Sequence, residues 1–253
     1  MLHYGFITVR WYGLFIVLGI LAAISLTLFF ARRFKIETEK IWDLSFYLVL
    51  FGIIGARIYE IFLEFPYYSA NPSQILKIWE GGLAIHGAII AGAITLFIFI
   101  RKYKLNFWTL LAIVTPGLAL GQAIGRFGNW FNQELFGLPT NLPWGIPIDI
   151  INRPIEYINQ SYFQPTFLFE SLGNLCIAGL LFYLLLRYKD NLTKKAAMRV
   201  GAYYLASYSL LRFSLEFIKV DATPMFLGLR WPQVISLFLI IVAVIIYKKS
   251  SYV

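Results

Sequence analysis

The chain has 253 residues, 59% of them hydrophobic and 14% charged, with a mean hydropathy of +0.70. A soluble domain carries about 25% charged residues, so this composition excludes an ordinary water-soluble fold and places the chain in lipid. A single cysteine, Cys176, rules out an intramolecular disulfide and a cysteine metal cluster; the formal charge of +9 falls between apolar stretches, which points to a membrane rather than to nucleic acid.

Taken in chain order, seven apolar stretches approach the ~20 residues a membrane-spanning helix needs. They are Trp11–Phe30, Asp43–Phe62, Leu83–Ile100, Phe107–Ile124, Thr166–Leu186, Val200–Phe217 and Trp231–Tyr247. The first is too long for the apolar region of a signal peptide, and no small-residue cleavage site follows it. No polar stretch is long enough to fold separately and no internal repeat is evident. The expectation is therefore an all-α, polytopic membrane protein: one integral domain over residues 1–253 with about seven transmembrane helices.

The loops predict the orientation. With the N-terminus outside, the inner loops hold fourteen basic residues, among them Arg32, Arg33, Arg101, Lys102, Arg187, Lys189, Lys248 and Lys249. The outer side holds five: Arg10, Lys77, Arg153, Lys219 and Arg230. Cytoplasmic loops favour Lys and Arg, so the N-terminus is expected outside and the C-terminus in the cytoplasm. The segment from Asn129 to Pro165 then becomes an extracytoplasmic cap, and Pro139, Pro143, Pro147 and Pro154 make it irregular rather than helical.

Three arginines remain in or at the edge of spans, where a guanidinium is costly without a partner. Arg57 has Glu60 and Glu64 within two turns and reads as structural. Arg212 has Glu216 at i+4 and Tyr208 at i−4, a polar face that suits a helix staple or a site equally. Arg126 stands in Gly125-Arg126-Phe127-Gly128-Asn129-Trp130-Phe131-Asn132-Gln133-Glu134-Leu135-Phe136-Gly137. Upstream, Gly117, Gly121 and Gly125 recur every four residues and make a smooth face for another helix or a lipid. If the helix continued, Arg126, Asn129 and Gln133 would share one side and offer donors to an anion, with the arginine fork suited to phosphate.

His86 follows Gly81 and Gly82 near the start of the third span. It is a candidate acid or base, although a lone histidine at a membrane edge is more often structural. In the inferred topology Tyr12, His86 and Arg126 fall near outer helix ends, and Arg212 lies six residues, ~9 Å, below one. All four occupy the outer half of the bilayer, at the depth of a phospholipid phosphate.

At these residues the chain resembles the bacterial phosphatidylglycerol–prolipoprotein diacylglyceryl transferases. The Gly125–Gly137 segment is similar to that family's signature of Arg, Asn, Asn, Glu and closing Gly. Arg10-Trp11-Tyr12-Gly13 resembles its opening motif, Trp79-Glu80-Gly81-Gly82-Leu83-Ala84-Ile85-His86-Gly87 its histidine motif, and Arg212-Phe213-Ser214-Leu215-Glu216-Phe217 its late Arg–Glu motif. The chain departs from the family at Gln164-Pro165-Thr166-Phe167-Leu168-Phe169-Glu170, where His-Pro-Ser-Gln before Tyr-Glu is usual. It departs again at Lys219 and Val220, where Arg and Pro are common.

The resemblance implies transfer of a diacylglyceryl group from phosphatidylglycerol to the lipobox cysteine of a preprolipoprotein signal peptide, with glycerol 1-phosphate released. It implies an inner-membrane protein among membrane lipids with its site toward the outer leaflet, needing no metal or organic cofactor. By the same resemblance Arg126 and Arg212 would face the phosphate, His86 would take the thiol proton, and Glu134 would orient an arginine or the glycerol hydroxyl. Tyr12, Asn129, Asn132, Gly137 and Glu216 would bind substrate. An arginine-rich site that lowers the thiol pKa, leaving the proton to water, is the alternative to His86. Two other functions compete: a transporter or channel with these groups along its path, and an inactive relative that binds lipid or precursor.

Overall fold

The computed structural model describes residues 2–4, 7–9, 11–188 and 191–252; Arg10 and Lys189, placed above on the outer and inner sides, lie outside them. The long elements are all helices: α1 (Trp11–Arg33), α2 (Thr38–Leu63), α4 (Ile85–Tyr103), α5 (Phe107–Asn132), α6 (Thr166–Arg187), α7 (Lys194–Leu215) and α8 (Trp231–Ser250), with a short α3 (Phe65–Ala70). Three small antiparallel pairs accompany them: β1 (Leu2–Tyr4) with β2 (Ile7–Val9), β3 (Ile146–Pro147) with β4 (Tyr162–Phe163), and β5 (Met225–Phe226) with β6 (Leu229–Arg230).

Six of the helices, α1, α2, α4, α5, α6 and α8, are long and apolar enough to cross a membrane. The seventh expected span coincides with α7, which is long enough but less apolar: Arg199, Ser207, Ser209, Arg212 and Ser214 dilute its aliphatic residues. Several helices end where cations begin. Arg32 and Arg33 close α1, Arg101 and Lys102 close α4, and Lys248 and Lys249 close α8, each favourable beside the carbonyl-rich end of a helix.

The chain forms two compact units, residues 36–107 and the remainder. In the first, α2 and α4 meet backbone to backbone: a Cβ on Gly55 or on Gly87 would collide with the carbonyl of the other. Arg57, 7% exposed, donates to the carbonyls of Ile75 (2.9 Å), Gly81 (2.8 Å), Gly82 (2.7 Å) and Gln74, and to the Tyr68 hydroxyl (2.9 Å). Its structural role thus comes from carbonyls of the loop before α4, not from the expected Glu60 and Glu64. One fork of N–H groups thus binds several carbonyls of this irregular segment together.

In the second unit the glycine face of α5 lies on α1. A Cβ on Gly117 would sit 2.5 Å from the Ala23 carbonyl, and one on Gly121 2.9 Å from that of Gly19; Gly125 faces Ile16, and Gly128 faces Tyr12. The smooth face read from the sequence therefore receives a helix. Pro116 sits inside α5 and cannot donate to the Ala112 carbonyl; the Thr115 hydroxyl does so instead, at 3.1 Å. Further polar contacts tie the bundle: Ser171 to the Ala123 carbonyl (2.8 Å), Tyr204 to Gln122 (3.1 Å), and Arg33 to the Leu186 carbonyl (3.2 Å).

The α5–α1 seam makes a direct prediction. Gly117→Leu should force the backbones apart and lower stability by ~1–3 kcal/mol, read as a fall in the melting temperature of the purified protein. Leu118→Ala, on the exposed side of the same helix, should shift it far less.

Candidate anion site at the ends of four helices

Four helix ends converge in the larger unit: the last turns of α5 and α7 and the first turns of α6 and α8. Glu170, in the second turn of α6, is fully buried. Its Oε1 accepts from Arg126 Nη2 at 2.5 Å, and its Oε2 lies 3.3 Å from Lys219 Nζ and 4.0 Å from Arg212 Nη1. The two arginines singled out from the sequence thus meet at opposite oxygens of one carboxylate. Arg212 Nη2 reaches Glu216 Oε2 at 3.1 Å, and Arg230 Nε reaches Glu216 Oε1 at 3.0 Å. Glu216 is 1% exposed and Lys219 4%. Tyr208 faces Arg126, Arg212 and Glu170 from one turn deeper on α7.

The electrostatics follow from the roll of charges. Arg126, Arg212, Lys219 and Arg230 confront two interior carboxylates, so two positive charges are left over. Burial pushes the Lys219 ammonium below the ordinary lysine range, and the Glu170 carboxylate pulls it back up. Arg126 and Arg212 keep about a quarter of their side-chain surface exposed; among the described residues Arg126 Nε, Arg212 Nη1 and both oxygens of Glu216 are buried without a hydrogen bond, Arg212 Nη1 and Glu216 being held by ion pairs alone. A buried N–H without an acceptor is costly. The arrangement is therefore suited to an incoming anion with several oxygens.

The signature segment extends this cluster outward. Arg126 Nη1 donates to Asn129 Oδ1 at 3.3 Å, Asn129 Nδ2 donates to Glu134 Oε1 at 2.9 Å, and Asn132 Nδ2 donates to the same oxygen at 3.2 Å. Glu134 is exposed and Asn129 buried. The expectation that Gln133 shares the Arg126 face is corrected by the structure. Helix α5 stops at Asn132, and Gln133 takes a left-handed φ of 51°. Its side chain turns to the loop, donating to Asp149 Oδ2 (3.0 Å) and accepting from the Asp149 amide (2.7 Å). Leu135, with φ 56°, completes the reversal.

Gly137 ends the segment in a confined place. Its amide donates to the Gln164 carbonyl at 2.8 Å, and a Cβ there would lie 2.7 Å from both the Ile218 carbonyl and Thr166. Its lack of a side chain lets the strand ends before α6 and after α7 close together. Tyr12 packs across Gly128 and senses the charges of Glu134 and Arg126. His86 belongs to the smaller unit, exposed in the first turn of α4, with its ring 5.9 Å from that of Tyr59.

Three further members of the cluster, Glu170, Lys219 and Arg230, carry weaker signals in the sequence. Glu170 is the sole acidic residue in the fifth apolar stretch; the cost rule applied to span arginines would have found it. Lys219 and Arg230 read as ordinary loop cations, and only the fold turns them inward.

Fold and site together define a multi-helix membrane protein with a cationic, carboxylate-braced centre at one end of its bundle. The model of the family described as "Prolipoprotein diacylglyceryl transferase" matches residues 1–248. Proteins named phosphatidylglycerol–prolipoprotein diacylglyceryl transferase are similar over most of their length. That of Synechococcus sp. (strain CC9902) is 46% identical over 222 residues, covering 88% of this chain and 79% of the relative. That of Nostoc sp. (strain PCC 7120) is 44% identical over 241 residues, covering 94% and 83%. That of Synechocystis sp. (strain ATCC 27184) is 40% identical over 242 residues, covering 95% and 85%. The chain belongs to the prolipoprotein diacylglyceryl transferase family, and is thus a transferase.

Removing the shared carboxylate tests the construction of the site. Glu170→Gln leaves Arg126, Lys219 and Arg212 facing one another without their counter-ion. It should cost ~3–5 kcal/mol, seen as a large loss of melting temperature or of monodisperse protein. Glu134→Gln, on the exposed side, should leave the melting temperature close to that of the parent.

Proposed function

We propose that this protein transfers the diacylglyceryl group of phosphatidylglycerol to the lipobox cysteine thiol of preprolipoproteins. The observation that carries the reading is the convergence of Arg126 and Arg212 on Glu170, with two positive charges in excess. Family membership supplies the substrates, through the names of relatives 40–46% identical to this chain.

In the reaction the cysteine sulfur attacks the diacylglyceryl carbon that carries the phosphate oxygen. A C–S bond forms and the C–O bond breaks. Its electron pair leaves on the oxygen of glycerol 1-phosphate, and the thiol proton goes to a base. Charge on the departing phosphate grows through this step, and fixed guanidinium groups stabilise it best where water is scarce. Arg126 and Arg212 take the phosphate oxygens. Asn129 and Asn132 hold the headgroup through Glu134, Tyr12 steadies the lipid, and Glu216 orients Arg212. Gly137 keeps the approach narrow, and His86 takes the proton. Thiolate is the nucleophile and is scarce near neutrality, so proton removal is a step worth assisting.

In this reading α7 is a seventh span, its polar face turned to the site. The family match runs through both units and supports treating the chain as one integral domain. The N-terminus and the 129–165 cap lie outside, and the C-terminus lies in the cytoplasm of a bacterial cell, with the site facing the outer leaflet of the inner membrane. The distribution of Lys and Arg over the loops supports that orientation. The clustering of charge at one end of α5–α8 favours a site at one membrane surface over a translocation path, which calls for polar groups through the depth.

The test is purified protein with labelled phosphatidylglycerol and a lipobox peptide, followed for label on the cysteine. Arg126→Lys keeps the charge and loses the planar fork. It should lower transfer by at least ~100-fold while the protein remains folded; near-parent activity would refute the phosphate assignment. His86→Gln should slow the normal thiol substrate far more than one supplied already ionised. An equal fall for both would remove His86 as the base.

A further inference from the structure

We infer that Arg230 is a positioning residue that keeps Arg212 free to bind an anion by sharing the charge of Glu216; this rests on the phosphate role proposed for Arg212. The local sequence explains how Arg230 gets there. β5 and β6 form a tight hairpin through Leu227 (φ 49°) and Gly228 (φ 77°), the left-handed pair that such a two-residue turn requires. The hairpin delivers Arg230 to the N-cap of α8, where its amide donates to Gln233 Oε1 at 2.9 Å. From that anchored position the guanidinium reaches back over the loop that follows α7. It donates to the carbonyls of Glu216 (3.2 Å), Lys219 (2.5 Å) and Asp221 and to Thr223 Oγ1 (2.8 Å). It also pairs through Nε with Glu216 Oε1 at 3.0 Å.

Glu216 is thereby divided between two cations, Oε2 to Arg212 and Oε1 to Arg230. A carboxylate facing Arg212 alone would neutralise it more fully, and a quenched Arg212 would have less to offer a phosphate. With Arg230 also beside it, Glu216 neutralises Arg212 only in part. Glu170 shows the same division on the other side of the cluster, between Arg126 and Lys219. Arg230 touches no reacting atom in this account and acts through Glu216 alone.

The experiment measures transfer against phosphatidylglycerol concentration for Arg230→Gln, Glu216→Gln, the double variant and Arg230→Lys, with melting temperatures alongside. Arg230→Gln should raise KM for the lipid and lower kcat/KM on the order of 100-fold. In Arg230→Gln/Glu216→Gln the quenching carboxylate is gone, so kcat/KM should recover at least ~10-fold over Arg230→Gln. A purely structural Arg230 predicts the opposite, a double variant no better than the single one, and that result overturns the inference. Arg230→Lys should stay within ~10-fold of the parent, because it retains a charge for Glu216. Should Arg230→Gln not fold, adding Glu216→Gln to Arg230→Lys makes the same comparison. There the lysine grips Glu216 more weakly than arginine does, so the loss caused by Glu216→Gln must be smaller than in the parent, and an equal or larger loss refutes the idea. Arg212→Gln separates the two layers: parent-like transfer in that variant removes the phosphate role itself, whatever Arg230 does.

Discussion

A carboxylate with no contact with solvent, Glu170, is the constraint around which the larger unit is built. An isolated anion in so apolar a setting is prohibitively costly, and three cations from three different segments answer it: Arg126 from α5, Arg212 from α7 and Lys219 from the loop beyond α7. Each must be brought within a few ångströms, so the ends of these segments have little freedom. The same cations outnumber their partners. A group that fixes the helices thus also concentrates positive charge at one end of them, and architecture and chemistry share one interaction.

Two arginines read as lying in apolar spans end in opposite situations, and the contrast separates scaffold from site. Arg57 commits all three of its nitrogens to loop carbonyls and a tyrosine hydroxyl. Arg126 spends one nitrogen on Glu170 and another on Asn129 and keeps the third unpartnered. Residue type and cost in lipid are the same for both. What differs is whether the neighbouring backbone uses up the donors, and backbone geometry is invisible to a rule based on side-chain spacing.

That distinction also marks how far the sequence could be read. Hydropathy runs coincide with the seven long helices of the described residues, six of them apolar enough to cross a membrane, because span length and composition are written directly in the sequence. The four-residue glycine spacing foretells the α5–α1 contact because close packing needs small residues at that period. Arg126 and Arg212 are legible as a pair because each is too costly to be accidental. Gln133 was placed on the wrong side because periodicity assumes that a helix continues, whereas the chain turns left-handed at that residue. Arg230 escaped notice for a related reason: its reach depends on a two-residue turn at Leu227-Gly228 and a helix cap, which together reverse a loop that looks solvent-facing in one dimension. The Glu60 and Glu64 partners expected for Arg57 failed because helical spacing allows a pair without favouring it over nearer carbonyls.

The seam between α1 and α5 carries one more implication. Where Gly117 and Gly121 oppose Ala23 and Gly19, the main chains meet with only the Ala23 methyl beside them, so there is no long side chain that can swing aside. Rotamer motion opens most gaps between helices, but this one would need whole helices to separate. Any gap along this seam is therefore a displacement of entire helices, a slower event than the swing of a side chain.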